Sequence, residues 1–389
     1  MRPAVELYSL QRVARPAAAV PARADAPIVV AGFFSTASGV GEGARSTWRA
    51  LKAVGLSPLA VDLSERFAQV DHRSSIPLHP MPSDPDGTLI LQVNAQESLS
   101  ALLSLGMDRR RNWYTIGYWA WELPTFPKGW ERAFPLVSEI WGVSNFASNA
   151  FRLGPSPPPV SVFGHGITVP HDIPIDRARF GLPEDAFVFL TFADSKSSLE
   201  RKNPIAAIET HKRAFGDDPN SILVLKTRNL NGSPKANDRL KKAIAGAENI
   251  RLMDGSMSGE ERWKLMSSVD SLISLHRSEG FGLTIAEAMA LGRAVVTTNW
   301  SGNMDFCNEE RVWLVDSHLV DTDDPYGVYS DYQSQWAQVD VDHAVERVRE
   351  VRGDAAKRAQ KIQLARDTIA QHWNPKKLGE SMSSHLFGC

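Results

Sequence analysis

The chain has 389 residues, and at roughly 150 residues per domain this length predicts two or three domains. Lys and Arg number 43 and Asp and Glu number 45, which leaves a formal net charge of −2. This balance excludes a general nucleic-acid binder, because the affinity of such proteins depends on excess basic charge. Charged residues at 23% and hydrophobic residues at 43% are typical of a globular protein.

The first 26 residues predict an extension that precedes the first domain. They contain four arginines, and their apolar run, Ala17 to Val20, is too short for a signal peptide. No part of the sequence approaches the roughly 18 consecutive apolar residues of a membrane span. The two cysteines cannot form a disulfide framework and suit a reducing compartment. We therefore expect a cytoplasmic protein with a solvated extension, and a weak amphipathic contact with the membrane surface is the alternative for that segment.

Short apolar runs alternate with helical patterns along most of the chain. Runs that are continuously apolar are typical of strands buried on both faces of a parallel sheet. The first block has predicted strands at Ile28–Phe33, Pro58–Val61, Thr88–Val93, Tyr114–Trp119 and Glu139–Val143. Its predicted helices include Ala44–Val54, Trp130–Val137 and Asn145–Arg152. Prolines between positions 155 and 174 then interrupt the alternation.

The alternation restarts in the second half of the chain. The predicted strands there are Phe187–Phe192, Ser221–Lys226, Ser271–Leu275 and Ala294–Thr297. The predicted helices are Pro204–Phe215, Lys235–Ala247, Gly259–Ser268 and Leu283–Leu291, followed by a long helical region from about Val341 to Gln371 and a final helix from Pro375. Two such blocks predict two doubly wound α/β domains, which bind ligands at the carboxyl ends of their strands and offer a cleft between them.

A glycine-rich segment, Ser38 to Arg45, directly follows the first predicted strand and opens a helix. Glycines let the backbone approach a ligand closely, and the amides at a helix start favour an anion. The spacing departs from the Gly-x-Gly-x-x-Gly dinucleotide fingerprint, because Gly39, Gly41 and Gly43 are each two residues apart. A tight strand-to-helix turn is the alternative explanation, and the segment alone does not decide between the two.

A pair of glutamates marks the segment in which strand Ser271–Leu275 runs into a helix. Glu279 lies in the connecting loop, and Glu287 follows about one turn into the helix. Carboxylates accept hydrogen bonds from the vicinal hydroxyls of a sugar or a ribose. Gly280 and Gly282 keep the backbone open, so that the amides of Gly282, Leu283 and Thr284 can meet a phosphate. Each acid alone is explained as an ordinary helix acid, whereas the combination favours a sugar-phosphate site.

A basic pair, Arg201 and Lys202, lies between strand Phe187–Phe192 and the next helix. Pro204 suits the first turn of that helix, which places the two cations at the carboxyl edge of the sheet. Two cations there suit a diphosphate, and a solvated basic turn is the alternative. Lys226 ends the following strand, where it either joins these cations or caps the strand.

Together these motifs resemble the retaining glycosyltransferases of family 4, which have the GT-B fold. The resemblance is carried by Glu279 and Glu287 with seven residues between them, in the context Ser278-Glu279-Gly280-Phe281-Gly282-Leu283. It extends to the segments Gly39 to Arg45, Arg201 to Pro204 and Ala288 to Gly292, and to the helix after Trp373.

The resemblance implies a fold of two Rossmann-like, doubly wound domains that face each other across a cleft. Residues 1–26 would be the N-terminal extension and residues 27–170 the acceptor domain. Residues 171–370 would form the nucleotide-sugar domain. Residues 371–389 would form a C-terminal helix that crosses back to the N-terminal domain.

The resemblance also implies roles for the motif residues. Glu279 would contact donor-sugar hydroxyls near the reacting carbon, and Glu287 would hold the ribose hydroxyls. Arg201 and Lys202 would neutralise the diphosphate leaving group without a bound metal or other cofactor. The further donor contacts implied are Gly39, Gly41, Lys226, Gly280, Phe281, Gly282, Leu283 and Thr284. Retention without a well-placed nucleophile implies departure and attack on one face of the sugar, with the leaving phosphate accepting the acceptor's proton.

One departure from the family concerns the predicted N-terminal domain. Many relatives carry a histidine after a strand there, whereas strand Tyr114–Trp119 leads into Ala120-Trp121-Glu122-Leu123-Pro124. We expect Glu122 to occupy that catalytic position. His165, between Gly164 and Gly166, is a second candidate, and an ordinary loop or core histidine is the alternative explanation for it.

Tryptophans are concentrated between positions 113 and 141, where five of the 11 occur. Indole rings bury a large area in a core and also stack on the apolar faces of sugars. Trp119 and Trp141 lie in apolar runs and are expected to pack. Trp121 and Trp130 are expected to line an acceptor groove, and Glu42 is a further expected acceptor contact.

The sequence therefore predicts a hexosyltransferase that needs no metal. It would move a hexose from GDP-mannose or a UDP-hexose to a glycan or lipid-linked acceptor, in bacterial surface polysaccharide assembly at the inner face of the membrane. Acid pairs at Asp321 with Asp323 and at Asp340 with Asp342 resemble metal ligands of the other large glycosyltransferase fold, but neither follows a clear apolar strand, and solvated loops explain them better. A nucleotide-sugar epimerase of the same fold and a nonenzymatic nucleotide-sugar-binding module remain alternatives, and the glycine spacing disfavours a dehydrogenase.

Overall fold

The computed structural model describes residues 25–107, 112–170, 172–330 and 332–388. These residues form two compact units, one from residues 25–168 together with 371–388 and the other from residues 169–370. The predicted extension at residues 1–26 lies outside the described residues, apart from its last two positions. None of the helices formed by the described residues combines the length and the apolar character that crossing a membrane requires.

The first unit contains a six-stranded sheet in the order β2-β1-β3-β4-β5-β6, in which every neighbouring pair is parallel. The strands are β1 Ile28–Gly32, β2 Leu59–Asp62, β3 Asp86–Gln92, β4 Asn112–Trp119, β5 Glu139–Gly142 and β6 Val160–Val162. The helices between them are α1 Gly39–Ala53, α2 Ala95–Ser104 and α3 Asn145–Arg152. The strand order reverses between β1 and β3, so the glycine-rich segment after β1 lies at a topological switch point.

One predicted helix of the first unit has a different form. Residues Trp130–Leu136 make a 3₁₀ helix with Pro135 inside it, where the sequence predicts an α-helix over Trp130–Val137. A proline in a helix interior removes a backbone donor, and its ring clashes with the carbonyl four residues earlier. The segment therefore cannot continue as a regular α-helix.

The second unit contains another six-stranded parallel sheet, in the order β12-β11-β10-β7-β8-β9. Its strands are β7 Phe187–Asp194, β8 Ser221–Arg228, β9 Ile250–Asp254, β10 Ser271–Ser274, β11 Ala294–Thr298 and β12 Trp313–Val315. The helices are α4 Leu199–Lys202, α5 Pro204–Phe215, α6 Pro234–Ile244, α7 Gly259–Ser267, α8 Leu283–Ala290, α9 Val341–Gly353 and α10 Ala355–His372. The order reverses between β7 and β10, where Leu272 pairs with Leu190.

The long helical region predicted from about Val341 to Gln371 is divided into α9 and α10. The break follows Gly353, a residue type that destabilises a helix interior. Asp354 has a non-helical φ of −105° and ψ of 87°, and its side chain accepts a hydrogen bond of 2.9 Å from the Lys357 amide. Asp354 therefore starts the second helix as an N-cap.

A two-stranded antiparallel hairpin in the second unit has no counterpart among the predicted strands. It pairs β13 Ser317–Asp321 with β14 Gln335–Val339. Most of β13 is exposed or half-buried, so its sequence lacks the continuous apolar run by which the parallel strands are recognised. The inner strand residue Trp336 is buried.

The last helix, α11 Pro375–Phe387, packs against α1 in the first unit. The helices approach so closely that a Cβ atom on Gly379 would lie 2.1 Å from the carbonyl oxygen of Ala50. Nε2 of His385 also lies 2.8 Å from Oε2 of the buried Glu139 on β5. The prediction of two doubly wound α/β sheets and of a final helix that returns to the first is confirmed.

Candidate active site

The candidate site of the second unit lies at the reversal of its strand order. β7 and β10 are parallel neighbours there, so their carboxyl ends lie side by side. At such a switch point the following loops leave toward opposite faces of the sheet, and a crevice opens between them. The segment after β7 carries Arg201 and Lys202 in the short helix α4, and the segment after β10 carries Glu279. The structure therefore brings together two of the motifs that are separate in the sequence.

Glu279 is held by both cations of the basic pair. Its Oε1 lies 2.5 Å from Nζ of Lys202 and 3.4 Å from Nη1 of Arg201. Only 8% of Glu279 is exposed, and Arg201 is buried as well. Burial by itself raises the pKa of Glu279, but the charges of Lys202 and Arg201 outweigh burial and lower this pKa to about 2. The carboxylate is thus ionised at neutral pH and accepts hydrogen bonds without donating them.

Backbone and hydroxyl contacts fix this cluster in place. The Ser198 hydroxyl accepts a hydrogen bond of 3.1 Å from the Arg201 amide, and Nη1 of Arg201 donates to the Ser278 carbonyl at 2.8 Å. The Glu279 amide donates to the Ser301 hydroxyl at 2.8 Å. Three loops of the sheet edge therefore hold one another, which preorganises the charges before any ligand binds.

Helix α8 begins beside this cluster and supplies a partial positive charge. Gly282 precedes the helix with a φ of +95°, in the left-handed region, and no side chain of the described residues caps the helix start. The N-terminal amides of a helix are a favourable site for an anion. Gly282, Thr284, Lys202 and Glu279 line a cavity of about 20 Å³, which has room for about one water molecule. Phe281 is buried within the loop from Gly280 to Thr284. The contact of this loop with a phosphate stays a prediction.

Glu287, the second motif acid, has a partner that the sequence did not predict. Its Oε2 lies 2.5 Å from Nη1 of Arg262, and its Oε1 lies 2.8 Å from Nη2 of the same side chain. Arg262 belongs to α7, the helix that follows β9. Glu287 is therefore engaged in a bidentate ion pair and not exposed as an isolated acceptor.

Lys226 caps its strand and does not join the basic pair. Its Nζ donates to the carbonyls of Thr227 at 2.7 Å and of Gly255 at 2.5 Å. Burial lowers the pKa of this lysine. These contacts favour the capping alternative, because the ammonium group is directed at the neighbouring loop. The contact of Lys226 with a donor stays a prediction.

The glycine-rich segment of the first unit is a tight turn at Gly41. A Cβ atom there would lie 2.4 Å from the Thr36 carbonyl oxygen, so that no larger residue fits. The Ser38 hydroxyl caps α1 by accepting from the Gly41 amide at 3.1 Å. Packing thus explains Gly41, where the sequence left both a turn and a donor contact open, and Gly39 is exposed.

Glu42, predicted to contact the acceptor, forms ion pairs with two arginines of its own helix. Its Oε2 lies 2.8 Å from Nε of Arg45, and its Oε1 contacts Arg49. Burial raises the pKa of Glu42, and the charges of Arg49 and Arg45 outweigh burial, so that the net pKa is lowered. This acid stabilises the start of α1 in the structure.

His165 lies against the glycine-rich segment, 5% exposed. A Cβ atom on Gly43 would lie 3.1 Å from Cε1 of His165, and the imidazole stacks on Tyr118 at a ring distance of 6.3 Å. Burial lowers the pKa of His165 to about 4, although the Glu42 charge acts in the opposite direction. The ring is therefore neutral at pH 7. Glu122 is half-buried in the loop after β4.

The tryptophans at positions 121 and 130 are buried in the core of the first unit. Trp121 is 4% and Trp130 is 3% exposed, and their ring centroids lie 5.2 Å apart. Trp130 also packs edge-to-face on Trp119 at 5.9 Å. Both rings pack in this structure, as those of Trp119 and Trp141 do. The acceptor groove that they were expected to line stays a prediction.

Several residues that support the site were not predicted. Ser301 and Asn303 follow β11, the parallel neighbour of β10, and Nε2 of the buried His276 lies 3.1 Å from Oδ1 of Asn303. Burial lowers the pKa of His276. Ser301 and Asn303 lie just after a buried apolar strand, and this position is the feature of the sequence by which they could have been predicted. Nothing in the sequence connected Arg262 with Glu287.

One acid of each predicted acidic pair lies at the end of a secondary-structure element. Asp321 ends β13, and Asp340 caps α9 by accepting from the His343 amide at 3.1 Å. Within the described ranges, no group of three or more His, Cys, Asp or Glu side chains is placed to hold a metal ion. The capping contact is sufficient to explain Asp340.

Comparison with known proteins found a family model that matches part of the second unit. Residues 228–329, which include Glu279 and Glu287, match the family model described as Glycosyl transferases group 1. No match was found among curated proteins.

Several solved structures of low sequence identity resemble the chain in fold. HepE of Anabaena, crystallised with UDP and glucose, has a TM-score of 0.65 and 16% identity, and the match covers 93% of this chain and 99% of that one. A glycosyltransferase of Rickettsia africae has a TM-score of 0.61, with 13% identity over 93% of this chain and 98% of that chain. WaaG, a glycosyltransferase involved in lipopolysaccharide biosynthesis, has a TM-score of 0.61 at 13% identity, covering 93% and 100%. The chain therefore has the predicted GT-B fold.

Proposed function

We propose that the protein is a retaining glycosyltransferase that moves a hexose from a nucleotide-diphosphate sugar to a glycan or lipid-linked acceptor. The observation that carries the proposal is the contact of Arg201 and Lys202 with Glu279 at the switch point of the second sheet. The match of residues 228–329 to Glycosyl transferases group 1 supports it, because that segment holds both motif acids.

The basic pair would bind the diphosphate of the donor. Arg201 and Lys202 carry two positive charges and Glu279 one negative charge, so the cluster has one positive charge in excess. The start of α8 adds the partial charge of its amides. Each charge-assisted hydrogen bond contributes about 1.5–3 kcal/mol. The charge on the departing diphosphate would be stabilised by these fixed groups, and we propose that no metal ion is required for this.

Glu279 would act on the sugar as an ionised acceptor of hydrogen bonds. Its pKa of about 2 excludes a role as general acid at neutral pH. When the diphosphate engages the cations, the carboxylate becomes available for the hydroxyls of the hexose next to them. Its negative charge also favours the positive charge that develops at the anomeric carbon as the leaving group departs.

The proposed transfer takes place on one face of the hexose. The bond between the anomeric carbon and the diphosphate oxygen breaks, and its electron pair stays on the diphosphate. The acceptor oxygen bonds to the anomeric carbon from the same face, and its proton passes to the leaving phosphate oxygen. Glu122 and the glycine-rich segment with Gly39 and Glu42 remain the proposed contacts of the first unit with substrate.

The proposed donors are UDP-hexoses and GDP-mannose. HepE of Anabaena was crystallised with UDP-glucose, which favours testing that donor first. WaaG is involved in lipopolysaccharide biosynthesis, which agrees with a proposed role in bacterial surface polysaccharide assembly. We place the reaction in the cytoplasm, at the inner face of the membrane.

A product assay with purified protein tests the proposal. The protein is incubated with each nucleotide sugar, with and without a glycan or lipid-linked acceptor and with and without EDTA. We expect acceptor-dependent release of nucleoside diphosphate that EDTA does not abolish, and a product whose anomeric configuration, measured by NMR, equals that of the donor. Conversion of the nucleotide sugar without any acceptor would identify an epimerase. Binding without turnover over the acceptor set would identify a binding module.

A further inference from the structure

Backbone strain at buried positions is concentrated around the contact of Arg201 with Glu279. Among the described residues, seven that are not glycine have a positive φ. Three of these seven are buried, namely Ser198, Asn203 and Ser301, and they lie in the loops that carry Arg201 or contact Glu279. A positive φ is common for asparagine but not for serine, so the two serines are the unusual members. Residues persist in such conformations only where the surrounding structure fixes them, and they cluster at functional sites.

Ser301 lies in the turn after β11 and holds the backbone of Glu279. Its φ of +77° and ψ of −153° fall in a region that is almost restricted to glycine. Its hydroxyl accepts a hydrogen bond of 2.8 Å from the Glu279 amide, and the next amide, that of Gly302, donates to the Glu279 carbonyl at 2.9 Å. A Cβ atom on Gly302 would lie 2.1 Å from the Gly280 carbonyl oxygen. This close packing of the two loops explains how Ser301 is kept in its conformation.

Ser198 has the same relation to Arg201. It is fully buried, with a φ of +65° and a ψ of 110°, and its hydroxyl accepts from the Arg201 amide at 3.1 Å. Its carbonyl accepts from the Lys202 amide at 3.2 Å. A serine that caps a helix normally has an extended backbone, as Ser144 does before α3 with a φ of −159°. Ser198 therefore makes its capping contact from an unfavourable backbone conformation.

The two strained serines thus hold the two partners of one ion pair. Nη1 of Arg201 lies 3.4 Å from Oε1 of Glu279, and the backbone amide of each partner is bound by a buried serine hydroxyl. A glycine at either serine position would adopt the same backbone without strain. Glycine has no hydroxyl, however, and could not accept the amide. The strain at these positions therefore accompanies a contact that glycine cannot make.

We propose that Ser301 and Ser198 are positioning residues, whose hydroxyls fix Glu279 toward the hexose and Arg201 toward the diphosphate, respectively. The inference rests on the proposed function, in which Glu279 acts on the sugar and Arg201 binds the diphosphate. It adds that two hydroxyls at strained positions, one in each loop, set the geometry of the ion pair. Because each serine acts on a different partner, the loss of each hydroxyl should affect a different step.

Replacing each serine by glycine and by alanine tests the inference. In Ser301→Gly and Ser301→Ala, kcat for the donor that is active in the product assay should fall about 10- to 100-fold, the effect of misplacing a reacting group. The Kd for UDP or GDP, measured by isothermal titration calorimetry, should stay unchanged in both. In Ser198→Gly and Ser198→Ala the Kd for UDP or GDP should instead rise about 2- to 10-fold, because Arg201 is held less firmly.

Thermal unfolding separates positioning from a loss of stability. Only glycine adopts the backbone of Ser301 without strain, so the Tm of Ser301→Gly should exceed that of Ser301→Ala by on the order of a few °C. The two variants should nevertheless have equally low kcat, because both lack the hydroxyl. If Ser301→Ala does not fold, the kcat of Ser301→Gly is compared with the control variant instead.

Ser156→Gly is the matched control. Ser156 is exposed, has a φ of +54° and lies in the loop between α3 and β6. A loop from a helix to the next strand lies at the amino ends of the strands, opposite the edge at which such sheets bind ligands. The same substitution at this position should leave kcat and Kd at the values of the unmodified protein.

The outcomes distinguish the inference from the proposed function. If the unmodified protein turns over no donor, the proposed function fails and the inference with it. If the unmodified protein is active, normal kcat in both Ser301 variants would overturn the inference alone. A loss of kcat in Ser301→Gly but not in Ser301→Ala would also overturn it, because loop stiffness and not the hydroxyl would then be responsible. An unchanged Kd in both Ser198 variants would exclude the role of Ser198.

Discussion

The ammonium group of Lys202 lies 2.5 Å from Oε1 of Glu279, although 77 positions separate the two residues in the chain. The contact arises because the strands that precede them, β7 and β10, are parallel neighbours. The charge of Lys202 neutralises that of the buried Glu279. The neighbouring Arg201 then gives the cluster an excess of one positive charge. An internal carboxylate thus keeps these two cations in place.

Replacing Glu279 by Gln tests the role of this carboxylate. The amide keeps the shape but removes the charge that favours the transition state, so turnover should fall on the order of 100-fold or more. The affinity for nucleoside diphosphate should be unchanged or higher, because the carboxylate that competes with the diphosphate for Lys202 is gone. Steady-state kinetics and calorimetry give the two quantities. Glu310→Gln, at an exposed acid, is the matched control. Near-normal turnover in Glu279→Gln would contradict the proposed role of this carboxylate.

Replacing Lys202 by Ala should weaken binding of the diphosphate. Loss of one charge-assisted contact corresponds to about 1.5–3 kcal/mol, or about 10- to 100-fold in Kd. Arg201→Lys keeps the positive charge, so we expect only part of this loss of diphosphate affinity in that variant. A nucleoside without phosphates should bind both variants as it binds the unmodified protein. Arg213→Ala, which removes an exposed cation of α5, serves as the control, and an unchanged Kd for the diphosphate in Lys202→Ala would contradict the role.

The buried His165 predicts a pH dependence of stability. Its pKa in the folded protein is about 4, below the ordinary value of 6.5, because burial disfavours the charged ring. The unfolded chain therefore binds the proton more readily between these values, and the free energy of unfolding falls as the pH decreases from about 6.5 to about 4.

Chemical denaturation at several pH values measures this effect. In His165→Gln the free energy of unfolding should decrease less over the same window, and the two proteins should converge toward pH 4. His318→Gln, at an exposed position of the hairpin, should keep the slope of the unmodified protein. Equal slopes in His165→Gln and the unmodified protein would show that the imidazole is not buried as a neutral group.

Replacing Gly41 by Ala should destabilise the first unit. The new Cβ would lie 2.4 Å and 2.7 Å from the carbonyl oxygens of Thr36 and Phe33. Overpacking of this kind costs about 1–3 kcal/mol. Gly259→Ala lies at the start of α7, where no atom of the described residues comes within 4 Å of the new Cβ. We expect this control to change the free energy of unfolding by only a few tenths of 1 kcal/mol. Urea denaturation of both variants gives the comparison, and equal stabilities would exclude the packing explanation.

The parts of the fold that could be predicted are those with a continuous local signal. The strands Ile28–Gly32 and Phe187–Asp194 are apolar over nearly their whole length, and burial on both faces of a parallel sheet requires such runs. The hairpin strand Ser317–Asp321 is largely exposed and lacks this signal. The break at Gly353 was visible in the sequence but is outweighed there by the helical pattern on both sides.

The candidate site could be predicted where the chemistry is local to one loop. Glu279 and the glycines around it lie within a few residues of one another, and Arg201 and Lys202 are adjacent. Lys226 shows where such prediction fails. A lysine near the end of a strand can make either a ligand contact or a capping contact, and the local sequence does not decide between them. Its ammonium group donates to the Thr227 and Gly255 carbonyls, a choice that depends on a loop about 30 residues later in the chain.

By itself, the sequence determined the alternation of strands and helices, the near-neutral net charge, and the presence of acids and cations next to strand ends. These properties depend on residue type and short spacing, which local physical chemistry governs. The tertiary structure decided which of these side chains meet: Lys202 with Glu279, Arg262 with Glu287, and Trp121 with Trp130 in a core. Such contacts depend on strand order and on packing between distant segments, and no local pattern contains them.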